Sequence, residues 1–361
     1  MHPHIDDLLD PALLARSLGD GYVREQTHPT LPLRILNYTE KAQFEREWNE
    51  VTRQCRGLVI DRHGRVIARP YAKFLNYSEH PEGTFDLDEE VVVTDKLDGS
   101  LGILYPLPDG GYALATRGSF ASGQAVHATR VWQERYADTV SIKPGVTYLF
   151  EIIFPENRIV CDYGTLDDLV LLGGVDIATG APLPADDLPW DGPRVDTFDF
   201  GTLAEALAAS PRPGAEGYVL RLPGHDNTMV KIKQHDYVAL HRIITGLNAR
   251  AVWERLGAGD TVAECCDGLP DEFHDWVKGV AADLIRQRDA ILAEARAEHR
   301  RIRESLPEGW TRKEYAQLAG RSPMRAWLFM LLDGRDPSAR VFHTLRPEAD
   351  VRPANTTGDD S

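Results

Sequence analysis

Up to about residue 240 the apolar residues come in short alternating runs separated by turn signals. Beyond it they recur at intervals of three and four. Alternation with period two places every second side chain on one face of a strand, whereas three-and-four spacing lines a single stripe of a helix. The chain therefore reads as α+β, with many short strands over 1–240 and helices over 241–336, a division that suits two domains in 361 residues. Strand runs fall at 34–38, 147–153, 169–176, 217–222 and 229–232. Hairpins are expected at 57–70, around Arg62-His63-Gly64, and at 101–119, around Asp109-Gly110-Gly111. Helical spacing marks 6–18 and 40–52 (Phe44, Trp48, Val51), then 236–256, 270–305, 311–320 and 322–333. The stretch 337–361 has little apolar periodicity and ends in NTTGDDS, which predicts a disordered tail.

The formal charge is −16, which argues against a protein that coats nucleic acid with its general surface. The acid is local, however: 79–98 holds eight acidic residues and one basic, and 151–199 holds eleven and two. A basic cleft elsewhere stays compatible with this total. The helical stretch 286–303 carries six arginines against three acids, a run that most simply reads as a solvated face. No run of 18 apolar residues occurs, the first twenty residues lack the pattern of a signal peptide, and Cys55, Cys161, Cys265 and Cys266 show neither CxxC spacing nor a disulfide framework. A cytoplasmic location and no membrane contact are the expectation.

The chemistry-bearing residues are spread along the first 240. A strand delivers Lys96 into the turn Asp98-Gly99-Ser100, and such a lysine, held near other cations, can act as a nucleophile. Glu151 interrupts the otherwise apolar Tyr148-Leu-Phe-Glu-Ile-Ile153; a carboxylate in a buried strand needs a partner or a ligand. Glu216 opens another strand. Val230-Lys231-Ile-Lys233 puts two lysines on one strand face, able to grip a phosphate and to disfavour a third positive charge nearby. Each element alone reads equally well as ordinary structure; their joint presence in this order is the informative feature.

In that order the chain resembles the covalent nucleotidyltransferases, the polynucleotide ligases and capping enzymes, and within them the bacteriophage-type RNA ligase 1 family. The resemblance rests on Lys96-Leu-Asp-Gly-Ser, Phe150-Glu-Ile-Ile-Phe-Pro-Glu-Asn157-Arg158, Glu216-Gly and Lys231-Ile-Lys-Gln-His-Asp-Tyr237. It extends to Gln54-Cys-Arg56-Gly, Lys73-Phe74-Leu-Asn76 and Tyr38, and spans roughly 20–336. It implies a nucleotidyltransferase (ATP-grasp-like ligase) domain of antiparallel sheets with helices, followed by an all-α C-terminal domain that chooses the RNA. It also implies ATP-dependent joining of 5′-phosphate and 3′-hydroxyl RNA ends through a lysyl-AMP on Lys96, with Mg²⁺ or Mn²⁺. On the same ground Tyr38, Arg56, Lys73, Glu151, Glu216, Lys231 and Lys233 would bind the nucleotide, and Tyr237 would be needed for activity. Arg117 stands where the family has an essential lysine, keeping the charge but not an easily lost proton. Glu151, Glu216 and Asp260 would serve the metal, with Asp260 aligned only through a short gap. Cleaved tRNA is the substrate the resemblance implies, with a separate end-healing kinase or phosphatase as a partner.

Rival readings are a DNA ligase or a capping guanylyltransferase, which usually follow the last lysine motif with a small barrel of alternating strands, and a catalytically silent RNA-binding protein. Helical spacing after 240 and the intact set of lysines and glutamates favour the RNA ligase. A P-loop kinase would need GxxxxGK[ST], which the chain lacks.

Overall fold

The computed structural model describes residues 2–267, 269, 271–348 and 351–352. Among them the chain forms two compact units, one ending at His241 and the other starting at Arg242. The first unit holds β1 (Val23–Thr27), β2 (Leu33–Tyr38), β3 (Arg56–Asp61), β4 (Val66–Ala68), β5 (Val92–Lys96), β6 (Ser100–Pro106), β7 (Tyr112–Ala115), β8 (Val146–Ile153), β9 (Asp168–Asp176), β10 (Pro182–Leu183), β11 (Thr197–Phe198), β12 (Gly217–Leu222) and β13 (Thr228–Lys233). They make three antiparallel sheets, ordered β1-β2-β3-β4, β10-β9-β8-β6-β7 and β11-β5-β12-β13.

The middle sheet is covered on both faces, which is why β8 reads as a nearly continuous apolar run. Tyr148, Phe150 and Ile152 point to one face and pack with Trp132 and Val131 of the helix Gly123–Arg135 and with Trp190. Leu149 points to the other face, where it meets Ile35 and Val59 of the first sheet. Glu151 shares that second face by alternation. In the third sheet Val93, Leu220 and Val230 form the core with Phe85 and Leu203. The opposite face presents the chemistry.

Register fixes that presentation. Gly217 of β12 pairs with Lys96 of β5 on one side and with Lys233 of β13 on the other, and two residues further on Val219 pairs with Thr94 and Lys231. Gly217 is the residue that permits this close row: its φ is 151°, and a Cβ there would lie 1.9 Å from the Ile232 carbonyl oxygen.

The second unit is helical, with Ala249–Ala258, Val262–Cys266, Asp271–Ser305, Arg312–Ala319, Arg325–Leu332 and Ser338–Thr344. The single helix expected over 236–256 is two, His235–Gly246 and Ala249–Ala258. Asn248 caps the second by accepting the Ala251 N–H at 2.9 Å. The expectation of disorder from 337 is corrected over Ser338–Thr344. That helix packs on Asp271–Ser305 with Val341 and Phe342 buried, and the Phe342 carbonyl accepts the Trp253 Nε1–H at 2.9 Å. Two adjacent apolar residues in a single two-turn helix are too few to register as periodicity. The closing NTTGDDS lies outside the described residues. Among the described residues no helix is long and apolar enough to cross a membrane.

The expected helix over 40–52 is also two short ones, Glu40–Glu45 and Glu50–Gln54. Between them Arg46 adopts the left-handed conformation, φ 55°, and Asn49 caps the second helix. The apolar residues that suggested one stripe part company: Val51 is buried, Phe44 is 90% exposed, and Trp48 meets Tyr38 edge to face at 5.1 Å.

Because Gly217 sets the spacing of the row, Gly217→Ala is expected to destabilise the protein by about 3 kcal/mol. Urea unfolding of the two proteins measures this. A variant as stable as the parent would show that the row tolerates a side chain.

Candidate active site

The exposed face of the third sheet forms one wall of a cavity of about 200 Å³. Its lining includes Thr94, Lys96, Val219, Arg221 and Lys231, successive same-face residues of β5, β12 and β13. Tyr38, Arg56, Tyr71, Lys73, Phe74 and Glu151 line it from the other two sheets and the segment after β4. That segment is held against β13 by a hydrogen bond from the Lys231 N–H to the Leu75 carbonyl at 3.1 Å. The Lys73 N–H donates to the Arg53 carbonyl at 2.7 Å. Backbone contacts, rather than side-chain packing alone, thus place Lys73.

Glu216 is 3% exposed and takes two ammonium groups. Lys96 Nζ lies 2.7 Å from Oε2, and Lys233 Nζ lies 2.9 Å from Oε1. Three charges this far from water are tolerable because both carboxylate oxygens are engaged. The sequence reading assigned Lys233 to a phosphate; the structure gives its ammonium group to Glu216, with the Tyr237 ring 5.1 Å away.

The turn after Lys96 is pinned through two backbone N–H groups and both oxygens of the Asp98 carboxylate. The Asp98 N–H donates to the Tyr163 hydroxyl oxygen at 2.8 Å, and the Gly99 N–H donates to Glu151 Oε1 at 2.9 Å. Asp98 Oδ2 accepts the N–H groups of Val160 and Cys161 at 2.8 and 2.7 Å, and its Oδ1 accepts the Tyr237 hydroxyl at 2.7 Å. Gly99 has to be glycine, because a Cβ would meet the Ile152 carbonyl oxygen at 2.6 Å. Burial first, and then the charge of Glu216, push the Asp98 carboxyl above its ordinary range in spite of these donors. Burial followed by the charges of Glu216 and Asp98 pushes the Tyr237 hydroxyl far up, so it donates as a neutral phenol.

Across the cavity Arg117 Nη1 donates to the Tyr38 hydroxyl at 2.5 Å, and the same guanidinium lies 4.9 Å from the Tyr38 ring centre. Lys73 Nζ lies over the rings of both Tyr38 and Trp48, at 5.3 and 5.1 Å. Arg56 Nη1 is buried with no hydrogen-bond partner among the described residues, a donor left over for a ligand. The structure thus gathers Tyr38, Arg56, Lys73, Lys96, Glu151 and Lys231 on one cavity, with Glu216 paired to Lys96 and Lys233, Tyr237 on Asp98, and Arg117 on Tyr38. Asp260 lies in the second unit, where its Oδ2 accepts Arg255 Nε at 2.7 Å; an ion pair is what the structure gives it. Tyr163 and the backbone donors of Val160 and Cys161, which fix the Asp98 turn, were not singled out from sequence. Their role is in the folded turn and leaves no mark in residue spacing.

Residues 54–187, which include Lys73, Lys96 and Glu151, match a family model described as RNA ligase. A putative RNA ligase of Thermovibrio ammonificans is 29% identical over 211 residues, covering 54% of this chain and 55% of that protein. An uncharacterised protein of Ostreid herpesvirus 1 is 30% identical over 155 residues, 40% of this chain and 38% of that one. The match thus spans about half or less of the length of these relatives. Among solved structures, an archaeal ATP-dependent RNA ligase superposes with a TM-score of 0.44 at 17% identity, covering 75% of this chain and 74% of its own. An RNA ligase of Naegleria gruberi gives 0.33 at 20%, covering 43% and 52%.

Since the folded state raises the Asp98 pKa, it binds a proton there more tightly than the unfolded chain does. The resulting stability is fully present below the ordinary value of 3.8 and is lost as the pH rises through the folded value. Asp98→Asn does not titrate. The stability of the wild type relative to Asp98→Asn, from urea unfolding at a series of pH values, is therefore expected to fall as the pH rises above 4 and then to level off. A difference that stays flat with pH would show that the carboxyl is not raised.

Proposed function

We propose that the chain, whose residues 54–187 match an RNA ligase family model, is an ATP-dependent RNA ligase that works through a lysyl-AMP on Lys96. The observation that carries this reading is Lys96 itself, held on a buried carboxylate and lining a cavity together with Arg56, Lys73 and Lys231. A nucleoside triphosphate brings four negative charges, and these cations are fixed on strands and backbone hydrogen bonds before it arrives.

Lys96 Nζ attacks the α-phosphorus of ATP. The nitrogen–phosphorus bond forms, the bond to the β-phosphate oxygen breaks, and diphosphate leaves. Glu216 Oε2, at 2.7 Å, is the acceptor placed for the amine proton. Lys231 faces the phosphates, and Arg56 offers its buried Nη1 donor to them. An oxygen of the RNA 5′-phosphate next attacks the same phosphorus and releases Lys96. A 3′-hydroxyl finally attacks the 5′-phosphate, sealing the strand and expelling AMP.

Among the described residues no three His, Cys, Asp or Glu side chains cluster as a metal cage, and Glu216 is committed to two ammonium groups. Such a donor set fits a divalent cation that arrives on the nucleotide phosphates with much of its water, with Glu151 on the cavity wall as its protein partner. When bound, Mg²⁺ or Mn²⁺ would supply neutralisation of phosphate charge.

Incubation with ATP labelled at the α-phosphate is expected to leave label on the denatured wild-type chain and none on Lys96→Ala. Addition of 5′-phosphorylated RNA is expected to move that label to the RNA. No covalent label on the wild type, or undiminished label on Lys96→Ala, would refute the mechanism.

A further inference from the structure

Lys96 is also reached from a second, larger cavity of about 790 Å³, which shares Tyr38, Lys73, Lys96 and Lys231 with the first. Six cations line it, Arg46, Lys73, Lys96, Arg117, Lys231 and Lys233, against a single carboxylate, Glu79. Glu79 is itself engaged by the Asn76 N–H and side-chain amide. Five of these cations belong to the site already described. Arg46 does not.

Arg46 occupies the position that ends the helix Glu40–Glu45, and its φ of 55° is one that glycine adopts without cost and a residue carrying a Cβ adopts at some cost. It is exposed, and the acidic residues on either side are turned to other partners: Glu45 accepts the Tyr22 hydroxyl and Glu47 accepts the Asn49 side chain. The chain thus keeps an arginine where glycine would fit more easily, with its charge uncompensated by those neighbours and its side chain on a cationic cavity that opens onto the reactive lysine. Strain retained at a cavity wall points to a ligand contact.

We propose that Arg46 binds the phosphates of the 5′-phosphorylated RNA strand and that the second cavity is the docking site of that strand. The proposal rests on the ligase reading above and names the substrate end this cavity takes. The 5′-phosphorylated end is the more highly charged of the two RNA ends, and with Lys96 and Lys233 paired to Glu216 it is Arg46, Lys73, Arg117 and Lys231 on the cavity wall that complement it electrostatically. The nucleotide in the first cavity and the strand in the second then approach Lys96 from two sides.

Arg46→Gly tests this, because it removes the cation while leaving the backbone in a conformation that glycine prefers. Its melting temperature is expected to equal or exceed that of the wild type, and its self-labelling from α-labelled ATP without RNA to stay within about twofold. Its KM for 5′-phosphorylated RNA in AMP transfer is expected to rise about tenfold, with Arg46→Lys recovering most of the loss. Fluorescence anisotropy with a 5′-phosphorylated RNA oligonucleotide at several salt concentrations is expected to give a slope of log affinity against log salt that is shallower by about 0.7. Unchanged RNA affinity and KM in Arg46→Gly would overturn the proposal. If the wild type took no label from ATP, the ligase mechanism would fail, and the anisotropy comparison would still decide whether Arg46 holds RNA.

Discussion

The site depends on one buried carboxylate shared by two lysines. Glu216 immediately precedes Gly217, and the register of β5, β12 and β13 sets Lys96 and Lys233 on either side of that glycine. Without the carboxylate, two ammonium groups would face each other in poorly solvated surroundings; without the lysines, the carboxylate would be buried alone. Either state costs several kcal/mol. The three residues therefore form a unit, and the sheet register, the glycine and the identity of the flanking residues are consequences of holding it together.

Around this unit the remaining parts serve placement. Asp98 spends both carboxylate oxygens on Val160, Cys161 and Tyr237, which ties the turn after Lys96 to the loop after β8 and to the helix His235–Gly246. Glu151 holds the next residue of the same turn through the Gly99 N–H. Lys96 is consequently fixed from its own strand, from the turn that follows and from Glu216. A nucleophile restrained in this way gives up little freedom when it attacks.

Much of this was legible in the sequence, and the reason is local. Period-two alternation in Val230-Lys231-Ile-Lys233 announces which residues turn away from the core, the lone charge in Tyr148–Ile153 announces a buried group that needs a partner, and the strands expected at 217–222 and 229–232 are found at Gly217–Leu222 and Thr228–Lys233. What sequence spacing left out or misread was long-range or conformational. The pairing of Lys233 with Glu216 needs the fold that joins β12 to β13 across a turn. Phe44, Trp48 and Val51 have the spacing of a single helix, but the left-handed backbone at Arg46 breaks it and brings Trp48 to Tyr38 and Lys73. The acidic total of −16 was similarly uninformative about a cavity whose walls are cationic.

The central claim is that one lysine among several close neighbours is the nucleophile: Lys96 both pairs with Glu216 and lines the first cavity, whereas Lys233 shares the pairing but not that lining. Peptide mapping by mass spectrometry, after incubation with ATP and a divalent cation, tests it most directly. The account predicts a single AMP adduct on the peptide containing Lys96, with none on those containing Lys73, Lys231 or Lys233. An adduct on any of these three, or no adduct at all, would contradict it.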